Sequence, residues 1–233
     1  MTSPHCPAPT PLDLAHQWFT DYLTKPHRHI GRTGPVCPFV EPSMKAGTLD
    51  VREWDVGPDI DVPGVVGVID RMRETFDHIE WAGRNRTLRA LVVVLRGIGP
   101  DRYRVLDAAH ARRKTTLARE GLMLGQFHPQ CDERAARNRE LLVSRSPVPM
   151  FALRHMAFHD VMFLNADPRW FDAYRRRYGK RYRQGSVPDP FFAQVFQEAQ
   201  AKWGADEADR TETETTEAER TEAEANEAGK GDQ

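Results

Sequence analysis

Three cysteines in 233 residues, at positions 6, 37 and 131, are too few and too scattered for a disulfide framework. Their odd number and wide spacing fit a reducing compartment. Long apolar runs are missing as well. The longest, Leu91 to Leu95, is far too short to cross a bilayer, and no basic-then-apolar leader opens the chain. These absences set the expectation of a cytoplasmic protein with no membrane partner. Bulk charge is nearly absent, with a net value of −1, so it argues for no nucleic-acid partner. Lysine is scarce, at six of the 33 basic residues. Such an arginine excess is first a mark of a GC-rich genome and second a means of gripping carboxylates in a two-pronged way. The frequent signatures of α/β enzymes are missing too: no GxxxxGKS/T, no GxGxxG after a strand, no GxSxG elbow and no HExxH.

What is present divides into three stretches. Residues 1–10 form a proline-broken flexible leader, 11–203 read as a single globular domain, and 204–233 read as a disordered acidic tail. From Asp206 onward there is no aromatic or branched aliphatic residue, so burial cannot offset the entropy of ordering that segment. Within the domain, apolar residues from Leu12 to Leu23 recur at helical spacing, with Pro11 suited to a first turn and Pro26 ending the run. Residues 27–45, punctuated by glycine and proline, read as a loop. Strands are expected at Thr48–Val56, Leu88–Leu95, Leu122–Phe127 and Val148–Met156. Helices are expected at Val65–Trp81, Asp101–Ala118, Phe158–Leu164, Pro168–Tyr182 and Asp189–Trp203, and a long polar loop at His128–Ser146. Leu88–Leu95 is apolar on both faces, as a central strand covered on both sides should be. The alternation predicts an α/β (or α+β) fold with a mixed, mostly parallel central sheet of about four or more strands covered by helices.

Ligands of open α/β sheets bind beyond the carboxyl ends of strands, so chemistry is sought there. His128 directly follows the third strand and is stiffened by Pro129. It reads either as an axial iron ligand or as a surface-loop histidine. Cys37, within Cys37-Pro38-Phe39, offers a thiolate to iron or is an inert buried cysteine. His128-Pro-Gln-Cys131 also has zinc-like spacing, with His27, His29 or Cys37 as the remaining ligands if the fold gathers them. Arg154 and His155 end the fourth strand. His155 is open between a role in acid/base chemistry or ligation and a plain structural one, whereas His159-Asp160 reads as a helix start. A flat macrocycle needs apolar walls such as Phe127 and Met150, and arginines such as Arg32, Arg137, Arg145 and Arg154 to answer its propionates. The same methionines and phenylalanines also serve as ordinary core.

Three blocks carry a resemblance: Gly31-Arg-Thr-Gly-Pro-Val-Cys-Pro-Phe-Val, Arg119-Glu-Gly-Leu-Met-Leu-Gly-Gln-Phe-His-Pro, and Ser144-Arg-Ser-Pro-Val-Pro-Met-Phe-Ala-Leu-Arg-His-Met. Together they resemble an uncharacterised bacterial family frequent in actinobacterial biosynthetic clusters. More remotely, the chain is similar to the YqcI/YcgG-type family, whose members include haem-dependent N-hydroxylases of guanidino amino acids. Gly125-Gln-Phe-His128-Pro129 matches that family's central block, and Ala136-Arg137 its following arginines. The residues between Pro129 and Arg137 differ, and the asparagine expected before the later histidine is missing. The resemblance implies a haem b-dependent oxygenase that oxidises an amine or guanidine nitrogen of a small amino-acid-like substrate. Its iron would sit on His128. Phe39, Phe127, Arg137, Arg145 and Met150 would hold the cofactor, Phe39, Phe158 and Phe163 would wall the distal side, and Cys37, Arg154 and His155 would stand near the chemistry. A redox partner would supply electrons, and a homodimer is compatible with the pattern. The alternatives are a non-catalytic haem or metal-binding module and a zinc-stabilised scaffold.

Overall fold

The computed structural model describes residues 8–204. The expected leader and acidic tail fall outside the described residues, apart from 8–10 and Gly204. The chain divides into two compact units, one ending at Ala157 and one beginning at Phe158, a boundary inside the stretch that reads in sequence as one domain. No helix among the described residues is long and apolar enough to cross a membrane.

The first unit opens with α1 (Pro11–Trp18). Thr10 and Asp13 cap it reciprocally: Asp13 N donates to Thr10 Oγ1 at 3.1 Å, and Thr10 N donates to Asp13 Oδ2 at 2.9 Å. A π-helical turn, Phe19–Leu23, ends the run before Pro26. The stretch 27–45 is not all loop: it closes with the short helix α2 (Val40–Lys45). Pro42 is compatible with this helix because it sits in the first turn, where backbone N–H groups have no helical partner to lose.

Four strands form one sheet: β1 (Leu49–Asp55), β2 (Ala90–Arg96), β3 (Leu122–Phe127) and β4 (Met150–His155), in the order β1-β2-β4-β3. The α/β class and the mixed sheet are as expected, but parallel pairing is confined to β1 and β2. β4 runs antiparallel to both its neighbours, β2 and β3. The helical returns α3 (Val62–His78) and α4 (Tyr103–Glu120) do leave β1, β2 and β3 pointing the same way. The segment from His128 to Pro149 has no helix to carry the chain back across the sheet, so it reverses direction and β4 enters between β2 and β3.

β2 is the central strand, buried from Leu91 through Leu95. One face of the sheet packs Leu91, Val93, Leu124, Phe151 and Leu153 against Ile69 and Met72 of α3 and Leu106 of α4. The other packs Val92, Val94 and Met150 against Phe19 and Leu23. Each fully buried side chain of this size contributes about 1.5–3 kcal/mol before entropy is charged against it. At the end of α4, Gly121 turns with φ +80°, a conformation that costs a side-chain-bearing residue strain, and delivers the chain straight into β3.

The second unit holds a 3₁₀ turn, Phe158–Asp160, and helices α5 (Val161–Leu164), α6 (Pro168–Arg183) and α7 (Pro190–Trp203). Its core is aromatic. Tyr182 stacks on Phe196 with ring centroids 3.8 Å apart, and the Tyr174 hydroxyl donates to Phe158 O at 2.6 Å.

Candidate metal centre

The helix α4 lies against β3 and presents Tyr103, Asp107 and His110 along one face, at spacings of four and three residues. The strand answers with alternate residues: Leu124, Gln126 and, one step past its end, His128. The contacts run in order along this seam. His110 Nε2 donates to Leu124 O at 2.9 Å, Gln126 Nε2 to Asp107 Oδ1 at 2.8 Å, and His128 Nε2 to the same Oδ1 at 2.9 Å. Both side-chain donors to Asp107 address one oxygen.

A tight turn supplies the third group. Pro129 occupies the second position of a turn in which Cys131 N donates to His128 O at 3.0 Å. This folds the thiol back toward the imidazole it follows. Asp107, His128 and Cys131 thereby place a carboxylate oxygen, an imidazole nitrogen and a sulfur within 4.8 Å of one another. His128 is 1% exposed and Cys131 0%, whereas the Asp107 side chain is 41% exposed, so solvent reaches the cluster from the Asp107 side.

The electrostatics are those of a buried, protonated thiol beside a carboxylate. Burial pushes Cys131 up to about 11, helped by Asp107 and Glu133 and opposed by a backbone hydrogen bond at Glu133. Burial also drives His110 down to about 4, against the hydrogen bond to Leu124 and with Lys114 adding to the drop. With Nε2–H given to Asp107, His128 Nδ1 carries the lone pair, and it is buried with no hydrogen-bond partner among the described residues. The Tyr103 ring lies 5.2 Å from the His128 ring.

The other residues singled out in sequence do not gather here. Phe127 and Met150 belong to the opposite face of the sheet, where Phe127 meets Trp18 at 5.4 Å. Cys37 packs against that same opposite face, with its backbone N–H donated to Leu23 O at 2.9 Å, so Cys37 and His128 lie on two sides of the sheet. Phe39 lies under the Arg154 guanidinium at 4.7 Å. Arg154 and His155 close β4 at its carboxyl end, but β4 is antiparallel, so His155 pairs with Leu122 at the start of β3 while Met150 pairs with Phe127 at its finish. Five strand steps, about 17 Å, separate those two pairs. His155 meets Phe76 edge-on at 5.1 Å, and burial lowers its pKa, with Arg86 and Arg89 adding to the effect. Arg137 packs on Gly31. Arg32 donates to Val36 O at 3.0 Å. Arg145 stands against the centre, donating to Cys131 O at 3.4 Å. His27 and His29 lie in an exposed loop and pair ring to ring at 5.6 Å.

The His-x-x-Cys spacing therefore marks two of the three converging groups. The third, Asp107, escapes sequence reading because it lies 21 residues upstream and joins only through the packing of α4 on β3. One signal was available: Asp107 is an acid on a helix whose surface is otherwise heavily basic, and it shares a face with the buried Tyr103.

A family model described as Domain of unknown function (DUF6875) matches residues 12–188, and the chain belongs to that family. No curated protein and no solved structure matches it.

Proposed function

We propose that this protein binds one divalent transition-metal ion, with zinc the best suited, through Asp107, His128 and Cys131. The observation that carries the reading is the convergence of three different donor types within 4.8 Å on a buried seam. Nitrogen, oxygen and sulfur together are a donor set for zinc and its neighbours, whereas magnesium and calcium take oxygen alone. The 2.9 Å between His128 Nε2 and Asp107 Oδ1 is close to the roughly 3.3 Å that separates two ligands at about 2.0 Å around a tetrahedral ion. To bind the ion through Nε2, His128 would carry its one ring proton on Nδ1 instead, and Cys131 would release its thiol proton. Three protein ligands leave a coordination position for water or a substrate, the pattern of catalytic rather than structural zinc, and the exposed flank of Asp107 supplies its access.

The haem-dependent N-oxygenase reading is the second. It is favoured by the buried imidazole held by a carboxylate, a pairing that fixes the tautomer and raises the basicity of an axial ligand. Haem would supply the oxygen chemistry on an amine or guanidine nitrogen, with a redox partner feeding electrons. The donor set argues against it. Porphyrin already fills four positions of its iron, which leaves no use for the Asp107 oxygen and the Cys131 sulfur gathered beside His128.

The test is elemental analysis and an absorption spectrum of the purified full-length chain. The metal reading expects one zinc-like ion per chain, no Soret band, and loss of the ion in His128→Ala and Cys131→Ser. A red protein with stoichiometric iron that bleaches in His128→Ala would replace it with the haem reading. A chain that holds neither metal nor haem, and takes up neither, overturns both.

A further inference from the structure

We propose that the cationic face of α6 is the docking surface for this chain's own acidic segment, residues 206–233. The charge of the molecule is concentrated in two places. Pro168–Arg183 carries seven basic residues and one acidic, a net of +6, while 206–233 carries eleven acidic and three basic, a net of −8. The chain as a whole is −1, so these two segments hold nearly all the imbalance and nearly cancel. Arg169, Arg176, Arg177, Lys180, Arg181 and Arg183 are all exposed. Arg169, Arg176, Lys180 and Arg183 follow one another at spacings of seven, four and three residues, a continuous stripe along one side of the helix. Asp167 pairs with Arg169, and Asp172 with Arg175 and Arg176, so the seven basic residues of α6 keep a net charge of +5 against these two carboxylates.

The geometry of the second unit puts the acidic segment within reach. α7 runs back along α6: Phe196 stacks on Tyr182 near the end of α6, and Trp203 Nε1, near the end of α7, donates to Asn165 O at 2.9 Å, just before α6 begins. α7 therefore ends near the Arg169 end of the stripe, where the segment begins in sequence. α6, at 16 residues, is about 24 Å long, and a flexible chain of 28 residues has a typical end-to-end reach of about 30 Å. It can cover the stripe from one end to the other. Glutamates spaced two to five residues apart, interleaved with threonine and alanine, distribute charge along the segment without an apolar requirement. Docking of this kind is electrostatic and yields to salt, because exposed charges are screened over about 10 Å at 0.1 M and about 3 Å at 1 M.

The test uses tryptic sites inside the segment, Arg210 and Arg220. Full-length wild type and the R176Q/K180Q/R183Q variant are digested briefly at low and high salt, and cleavage at those two sites is followed by mass spectrometry. Each rate is divided by that of a free peptide of the same sequence. Docking expects wild type to be cleaved about tenfold more slowly than the variant at low salt, with the difference falling below about twofold at 1 M, because proteolysis follows the open population. The protection should not change with protein concentration. Equal cleavage of the two proteins at low salt, with both melting alike, overturns the proposal. So does protection that grows with concentration, which would assign the segment to a second copy.

Discussion

His128 and His155 lie on the same face of one sheet, near opposite ends of the β3–β4 pair, and they are built into different surroundings. His128 is fully enclosed, gives its Nε2–H to a carboxylate and has a thiol folded back beside it. His155 lies against Phe76, where burial first, and then Arg86 and Arg89 against the pull of Asp77, disfavour its protonated form. A carboxylate and a thiol meet the imidazole at one end, and a phenyl ring and two arginines at the other. Burial of a histidine alone does not make a site. The kinds of atom that converge on it do, and only the His128 end offers the mixture that a metal ion needs.

The largest effect that would sharpen this contrast is on metal-linked stability. Stripping the ion with a chelator should lower stability by about 3–4 kcal/mol when free zinc had stood some hundredfold to a thousandfold above its dissociation constant. His128→Ala and Cys131→Ser should abolish the effect, while His155→Ala should keep it, as read by thermal melts with and without chelator. Chelator-sensitive stability that survives in His128→Ala would erase the distinction between the two ends.

A smaller effect separates His128 from its neighbour on the seam. His110 is held down to about 4 in the fold, against an ordinary value of 6.5. The unfolded chain therefore binds more protons between those values, and stability should be complete above pH 6.5 and fall as pH drops toward 4. The ring keeps part of its surface, so the loss should be about 1–3 kcal/mol. His110→Gln should flatten that segment of the pH–stability curve, and an unchanged slope in denaturant titrations at pH 7, 6 and 5 would show that the ring is not held neutral.

The smallest effect compares the two described cysteines. Cys37→Ser, on the far side of the sheet, should leave metal content unchanged and cost about 1 kcal/mol or less, while Cys131→Ser should remove the ion. Without metal, Cys131 should also resist alkylation at pH 8 in the native fold, since its thiol is buried and protonated there. Metal loss in Cys37→Ser would reopen a role for the Cys-Pro-Phe block.

Much of the framework was legible because it follows from local periodicity. The apolar run through Leu91–Leu95 is the central strand, and Pro11 opens the first helix. The direction of β4 was not legible. Strand direction depends on what lies between strands, and the loop from His128 to Pro149 carries no apolar period to say which way the chain returns. That one reversal divides the expected site: with β4 parallel, Arg154 and His155 would stand beside His128, and with β4 antiparallel they stand at the far end. The short helix α2 was hidden by Pro42, whose helix-breaking effect lapses in a first turn. Within the centre, the His-x-x-Cys spacing was readable because a single turn sets it, whereas Asp107 required knowing which face of α4 meets β3.

The most direct measurement is X-ray absorption at the metal edge of the zinc-loaded, full-length protein. The expected result is a single sulfur scatterer at about 2.3 Å with nitrogen and oxygen neighbours at about 2.0 Å, the sulfur vanishing in Cys131→Ser. A first shell with no sulfur in wild type, or one that keeps its sulfur when Cys131 is replaced, would contradict a centre built from Asp107, His128 and Cys131.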